Sequence, residues 1–293
     1  ATKSWPCRKK NCRNCTSSIV PVDARWRFAY RAYIVLVPPL TTTLTFSFIH
    51  RPLVPFAHDY VHGDSEPWHK HDCAQLLHTL SGVVRVDTAS GCWVVPPGRG
   101  VWLPAGTQHS LRITGNVAAR TLFIDPLARA DLPATCQIVQ IAPLLRELIL
   151  VSLALPESYS PGSRDERVYE LILDEIRTMP VLPFHLPEPE SEALRRLCLQ
   201  IRQNPGESWS SAQAASLMNM SERTLNRHFH QQTGLSYGEW LRRARLLEAL
   251  VRLAQGQPVL RVALDLGYGS HSAFTAMFRR VMGVSPSDYF KND

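Results

Sequence analysis

The sequence predicts a mixed, two-part chain: an all-β barrel, then a helical linker and an all-α domain built from two helix-turn-helix units. Three observations carry that expectation. Residues 53–136 break into short apolar runs separated by Gly and Pro. Residues 191–293 keep a helical periodicity with almost no strand signal. Within them a pattern of short helix, turn and outer helix occurs twice, at about 211–232 and 259–282. With 293 residues, 45% of them hydrophobic, the chain is long enough for two cores.

The net charge must be located before it is interpreted. It is formally +7, with a pI near 9.2, a balance that in a folded domain suggests an acidic partner such as nucleic acid. Residues 1–31, however, hold eight Lys/Arg (Lys3, Arg8, Lys9, Lys10, Arg13, Arg25, Arg27 and Arg31) against Asp23 alone. Of 32 basic and 25 acidic residues in all, that leaves 24 of each. The folded parts are formally neutral, and the pI carries no information about DNA.

Residues 1–50 are expected to be a basic, disordered tail. They lack alternation and helical periodicity, and no methionine occurs before Met179, which fits a start site placed too far upstream. Cys7, Cys12 and Cys15, spaced C-x4-C-x2-C, fall one ligand short of a structural zinc site, and no further His or Cys follows until His50. With Cys73, Cys92, Cys136 and Cys198 they make an odd set without a regular framework, as expected of a protein in the reducing cytoplasm. The longest apolar stretch, Ala32 to Ile49, is broken by Pro38-Pro39 and Thr41-Thr42-Thr43. It fits neither a membrane span nor the apolar core of a signal peptide.

In the β-rich part the apolar runs are Leu76-Leu77, Val83 to Val86, Cys92 to Val95, Val101 to Leu103 and Thr121 to Ile124, the rhythm of a sandwich or barrel. Two motifs appear in order. The first is Gly63, five residues, His69-Lys70-His71, three residues, Gln75, six residues, Gly82; the second is Gly98, five residues, Pro104-Ala105-Gly106, two residues, His109. His69 and His71 are two apart, so on a strand both imidazoles face the same side, and the Pro-Ala-Gly turn brings His109 towards them. Three converging imidazoles suit a divalent metal. The alternative is that these groups hydrogen-bond within the barrel or to a small organic effector. Together the motifs resemble those of the cupins, small jelly-roll barrels. In metal-binding cupins the fourth ligand is normally a glutamate; here that position is Gln75, a weak ligand. No cofactor is required by the sequence, and a divalent metal on His69, His71, Gln75 and His109 is the one candidate. His50, His58, His62 and His78 lie outside the motif and are expected at the surface or in packing.

Pro143 to Leu155 and Arg164 to Met179 read as two helices within a 143–189 segment. In the second, Val168, Leu171, Ile172, Glu175, Ile176 and Met179 trace a mostly apolar stripe. It can pack on the barrel or form a homodimer contact. Pro180, Pro183, Pro187 and Pro189 then make a linker that cannot continue a helix.

In the all-α part Ser211 to Met218 is a small, apolar helix, Asn219-Met220 the turn, and Ser221 the N-cap of Glu222 to Gln232. There Leu225 and Phe229 face inward at i, i+4 while Arg223, Asn226 and Arg227 face outward. Gly234 ends that helix. Ser236 to Ala254 is a long one with a core stripe of Trp240, Leu241, Ala244, Leu247 and Val251. Val259 to Leu266, Gly267-Tyr268-Gly269 and Ser270 to Met282 repeat the first unit, with Phe274 and Phe278 standing for Leu225 and Phe229.

The segments MSERTLNRHF, GLSYGEWLRRARL, ALDLGYGSHSAFTAMFRR and GVSPSDYF resemble the AraC/XylS family of transcription regulators, one branch of which carries a cupin-type sensor ahead of this domain. The resemblance implies double-stranded DNA as partner, with the two outer helices in successive major grooves. Carried over position by position, it implies base reading by Arg223, Asn226 and Arg227 and by His271, Ser272 and Thr275; Arg with guanine and Asn with adenine are suitable pairs. Ala276 stands where some members carry arginine. Arg242, Arg243, Arg245, Arg279 and Arg280 are phosphate candidates, a solvated helix face being the alternative. The resemblance further implies an unidentified small-molecule effector, a homodimer, activation as the commoner mode, and no membrane. A metal-dependent enzyme of cupin type, the rival class, leaves the hundred helical residues without a role. A helical protein-interaction module leaves the arginines and asparagine at base-reading positions unexplained.

Overall fold

Alternation decides which residues enter the barrel. In the computed structural model, which describes Phe48 and residues 51–290, the strands are β1 (Leu53–Tyr60), β2 (Ser65–His69), β3 (Ala74–Thr79), β4 (Val83–Thr88), β5 (Gly91–Val95), β6 (Arg99–Leu103), β7 (His109–Thr114), β8 (Val117–Ile124), β9 (Gln137–Gln140), β10 (Val181–Leu182) and β11 (His185–Pro187). They pair antiparallel into a six-stranded sheet, β1-β8-β3-β6-β9-β10, and a five-stranded sheet, β11-β5-β4-β7-β2, as in a jelly roll. All of the expected basic tail but Phe48, its three cysteines included, lies outside the described residues.

In the six-stranded sheet Gln75, Leu77, Leu103, Val101, Thr121 and Phe123 share the inner face by register. The opposite face, with Leu53, Leu76, Trp102, Leu122 and Ile124, is covered by helices α1 (Pro143–Ser152) and α2 (Arg164–Arg177) through Leu145, Ile149, Val168, Tyr169, Ile172 and Ile176. Both faces are therefore buried, which is why β3 is buried at every position instead of alternating. The stripe read on the second helix is used here. Val168, Ile172, Ile176 and Met179 pack in this cluster, while Leu171 stays exposed.

The proline-rich segment is not a free tether. Val181 and Leu182 pair with Val139 and Ile138, and His185 to Pro187 pair with Trp93 to Gly91. Both pieces are edge strands, the places where a strand tolerates a missing N–H, so the prolines that hide the strand signal are compatible with the strands.

The helical part continues with α3 (Glu192–Gln203), α4 (Ser211–Leu217), α5 (Glu222–Thr233), α6 (Tyr237–Ala254), α7 (Val259–Asp265), α8 (His271–Met282) and α9 (Pro286–Tyr289). Serine caps set the starts. Ser210 and Ser236 form capping boxes with Gln213 and Glu239, and Ser221 and Ser270 accept from the third helical amide. The two units turn alike: Met220 N–H donates to the Ala215 carbonyl and Tyr268 N–H to Ala263, each at 3.0 Å. Each turn passes through a left-handed residue, Asn219 (φ 51) and Gly267 (φ 76). Leu225, Phe229, Phe274 and Phe278 are fully buried, at the inward positions read from the sequence. Helix α6 is buried nearly all round. Leu246, Ala249, Leu250 and Leu253 join Trp240, Leu241, Ala244 and Leu247, because it lies between the two units while also touching β4 and β11.

The barrel and the helical part meet at β11. The Trp240 indole N–H donates to the Pro187 carbonyl at 2.8 Å, and Arg243 Nη1 to the His185 carbonyl at 3.0 Å. The His185 ring stacks on Trp93, centroids 3.7 Å apart, with Nε2 3.3 Å from the Ser90 carbonyl oxygen. Burial pushes this imidazole down to about 4 from 6.5, and Arg243 adds to the push. As pH falls from 6.5 towards 4, the unfolded chain takes up a proton that the folded chain refuses. Stability is therefore full above that window and lost as pH falls through it. His185→Phe keeps the stack and removes the proton, so its stability is expected to fall less steeply than the wild type, by up to about 1.4 kcal/mol per pH unit. Urea midpoints between pH 7 and pH 4 measure this; parallel slopes would overturn it.

Candidate effector site and nucleic-acid interface

Three strands and two loops bring the motif residues together at one end of the barrel. His69 ends β2 and pairs directly with His109 at the start of β7. His71 stands beyond the strand, in the loop to β3, so its approach comes from the loop and not from the two-residue alternation expected of it. The ring centroids lie 4.9 Å (His69–His71), 4.3 Å (His69–His109) and 5.6 Å (His71–His109) apart. One ring nitrogen from each falls within 4.8 Å of the others. Gln75, buried on β3, lines the same small pocket with His71, Cys73, Leu103, Pro104, Thr107 and His109.

The backbone sets the tautomers. His69 Nδ1 lies 2.7 Å from the Pro67 carbonyl oxygen and His109 Nδ1 2.9 Å from that of Thr107. A carbonyl only accepts, so both Nδ1 atoms carry a proton, and the neutral form of His109 then presents its Nε2 lone pair. His109 is almost fully buried and its Nε2 has no hydrogen-bond partner among the described residues, nor has Gln75 Oε1. Burial, then the His69 imidazole, holds His71 down to about 4; for His109 burial does the same against the pull of the Thr107 carbonyl. Both rings are held towards the neutral form, the one that binds a metal, and the donor set of His69, His71 and His109 fits a divalent first-row cation. An aromatic wall adjoins them. Phe123 packs edge-on to His71 at 5.1 Å, Phe56 lies 6.2 Å from Phe123, and His58 stands between Phe56 and Tyr60.

One acidic neighbour was missed in the sequence. Glu66 Oε2 lies 3.5 Å from His69 Nε2. Three residues apart on a regular strand, the two would face opposite ways, but the pairing with β7 slips between Glu66 and His69. Glu66 opposes Leu111 and His69 opposes His109, so both turn inward. Pro67 inside an edge strand was the available signal for that bulge.

On the helical part, Arg223 and Arg227 are exposed on α5 and make no hydrogen bond or ion pair among the described residues; His271 and Ser272 are exposed at the start of α8. Asn226 is half-buried and occupied. It donates to the Glu222 carbonyl at 3.0 Å and accepts from the Tyr237 amide at 3.2 Å, which joins α5 to the start of α6. Thr275 is half-buried, with its hydroxyl turned inward. Of the five arginines, Arg242, Arg279 and Arg280 are exposed. Arg243 reaches the His185 carbonyl, and Arg245 donates to the Pro205 and Glu207 carbonyls at 2.9 and 3.0 Å.

A family model described as an AraC-like ligand binding domain matches residues 55–201, half of the chain, and one described as a helix-turn-helix domain matches residues 214–292. The chain belongs to the AraC family of transcription regulators. The HTH-type transcriptional regulator NimR of Escherichia coli (strain K12) is 34% identical over 77% of this chain and 82% of its own length. The regulator GadX of Escherichia coli O127:H6 is 25% identical over 64% of this chain and 65% of its own. Among solved structures, ToxT from Vibrio cholerae covers 82% of this chain and 98% of its own at 11% identity, with a TM-score of 0.35. As an AraC-type regulator the chain joins an N-terminal ligand-binding domain to a C-terminal domain that binds double-stranded DNA, and the enzyme alternative is set aside by its relatives. Among the described residues no helix is long and apolar enough to cross a membrane.

Proposed function

We propose that this AraC-family regulator reads a two-part operator with α5 and α8, and that a divalent cation or a small polar effector on the imidazole cluster sets its affinity for that operator. The observation that carries the DNA reading is the repeat itself: two like units, with Arg223 and Arg227 exposed on one outer helix and His271 and Ser272 on the other, held by one buried helix. Arg223 and Arg227 are the principal base readers, because Asn226 is already engaged within the domain. Asn226 acts mainly by holding its recognition helix in place. Arg242, Arg279 and Arg280 meet phosphates.

The effector acts by favouring one of two arrangements of barrel and DNA-binding domain, through its differential affinity for them. A second copy of the chain would dock where Leu144 and Leu171 remain exposed on the helix pair. The protein works in the cytoplasm, as an activator; loss of output from an operator-driven reporter when the regulator is deleted tests the last point.

Selection of bound sequences from a random DNA library is expected to give two short motifs about one helical turn apart. Arg223→Ala is expected to weaken binding by about 1–3 kcal/mol and to blur one position of the first motif. Arg280→Ala should weaken all sequences alike and lower the salt slope by about one. An Arg223→Ala variant with wild-type affinity and an unblurred motif would remove Arg223 from the base readers.

A further inference from the structure

We propose that Glu66 supplies the carboxylate of a metal centre formed with His69, His71 and His109, the part that the neutral amide of Gln75 does not fill. The inference rests on the metal reading of the imidazole cluster and adds its fourth ligand.

His69 Nδ1–H is held by the Pro67 carbonyl, which leaves Nε2 as the ring's remaining nitrogen. The atom it meets is Glu66 Oε2, at 3.5 Å. Tetrahedral coordination at about 2.0–2.2 Å sets neighbouring ligand atoms about 3.4 Å apart, so the separation already matches two ligands of one ion. The Glu66 side chain is only 13% exposed. Its other oxygen accepts a hydrogen bond from the Tyr60 hydroxyl, a partner that fixes the carboxylate as outer-shell groups fix metal ligands.

The bulge at Pro67 is the device that makes this geometry available. Without the extra residue Glu66 would leave the inner face as His69 entered it. Gln75 lies on the opposite sheet with Oε1 buried, and it closes the pocket from that side as a hydrogen-bonding group. Three imidazole nitrogens with one carboxylate oxygen are the donors of a divalent first-row cation such as Zn(II) or Co(II).

The test uses the full chain, stripped of metal with a chelator and titrated with Co(II), read by its visible d–d bands and by competition with a chromophoric chelator. Wild type is expected to take up one equivalent with the band intensity of a four-coordinate site. Glu66→Gln is expected to lose at least about tenfold in affinity and to shift the bands, with Tyr60→Phe giving a smaller loss of the same kind. Should Glu66→Gln fail to fold, Glu66→Asp, which withdraws the carboxylate by one methylene, serves with the same readout.

Wild-type affinity and unchanged bands in the Glu66 variants would overturn the role of Glu66 and leave the three-histidine site standing. A wild-type chain that takes up neither Co(II) nor Zn(II) would overturn the metal reading itself.

Discussion

Trp240→Ala is expected to cost the folded chain about 3–5 kcal/mol, as large aromatic truncations in packed cores do. The indole is fully buried on α6, edge-on to the Phe229 ring at 5.9 Å, so its loss opens a cavity against the inner side of the first helix-turn-helix unit. It also donates to the Pro187 carbonyl, the last residue of β11. Truncation therefore strands an acceptor on the strand that ties the barrel to the DNA-binding domain. Trp240→Phe separates the two contributions. It keeps most of the packing, and a remaining loss of roughly 1–3 kcal/mol then belongs to the carbonyl left without its donor. Urea unfolding at neutral pH reads both variants. A loss under 1 kcal/mol for Trp240→Ala would mean that the helix does not seat on the linker strand as described.

Gly206→Ala is expected to destabilise by about 1–3 kcal/mol, and to weaken binding to a two-part operator more than to a single half. Gly206 lies in the turn between α3 and α4, and a Cβ there would overlap the carbonyl oxygen of Asp265, the last residue of α7. The turn that leads into the first helix-turn-helix unit thus touches the second unit backbone to backbone at this point. Arg245 clamps the same turn from α6 through the Pro205 and Glu207 carbonyls, and a Cβ on Gly267 would crowd both the Gly206 carbonyl and the Arg245 guanidinium. A methyl group at 206 must push the units apart, which changes the spacing of α5 and α8. Gly238→Ala is the control. In the first turn of α6 its Cβ meets only the end of Arg242 at 3.5 Å, so the helix should gain about 0.5–1 kcal/mol. Equal losses on whole and half operators for Gly206→Ala would show that the spacing is set elsewhere.

The parts of this fold that could be read in the sequence are those where one element decides its own burial. Leu225 with Phe229 and Phe274 with Phe278 needed only helical spacing, and both pairs are buried. The three histidines needed two motifs and a turn, and they meet. What could not be read depends on a partner from elsewhere. A helical wheel puts Asn226, Arg243 and Arg245 outside, but it does not show that the start of α6, the linker strand and the turn at 205–207 come round to meet them. Glu66 was hidden because a bulge changes the parity of a strand, and β10 and β11 because proline removes the donors by which a strand is ordinarily recognised.

The pairing of β11 with β5 also decides where this chain can be cut. β5 is buried at all five positions, Gly91 to Val95, and its outer edge is covered by the short strand His185 to Pro187, with the Phe184 carbonyl accepting from the Val94 amide beside it. A sensor fragment that stops short of these residues keeps an apolar strand with a row of open amides and carbonyls, a template on which further copies can add and aggregate. A fragment that runs on past Pro187 carries its own cover, so the solubility of the isolated barrel is decided by a stretch that composition alone would assign to the tether.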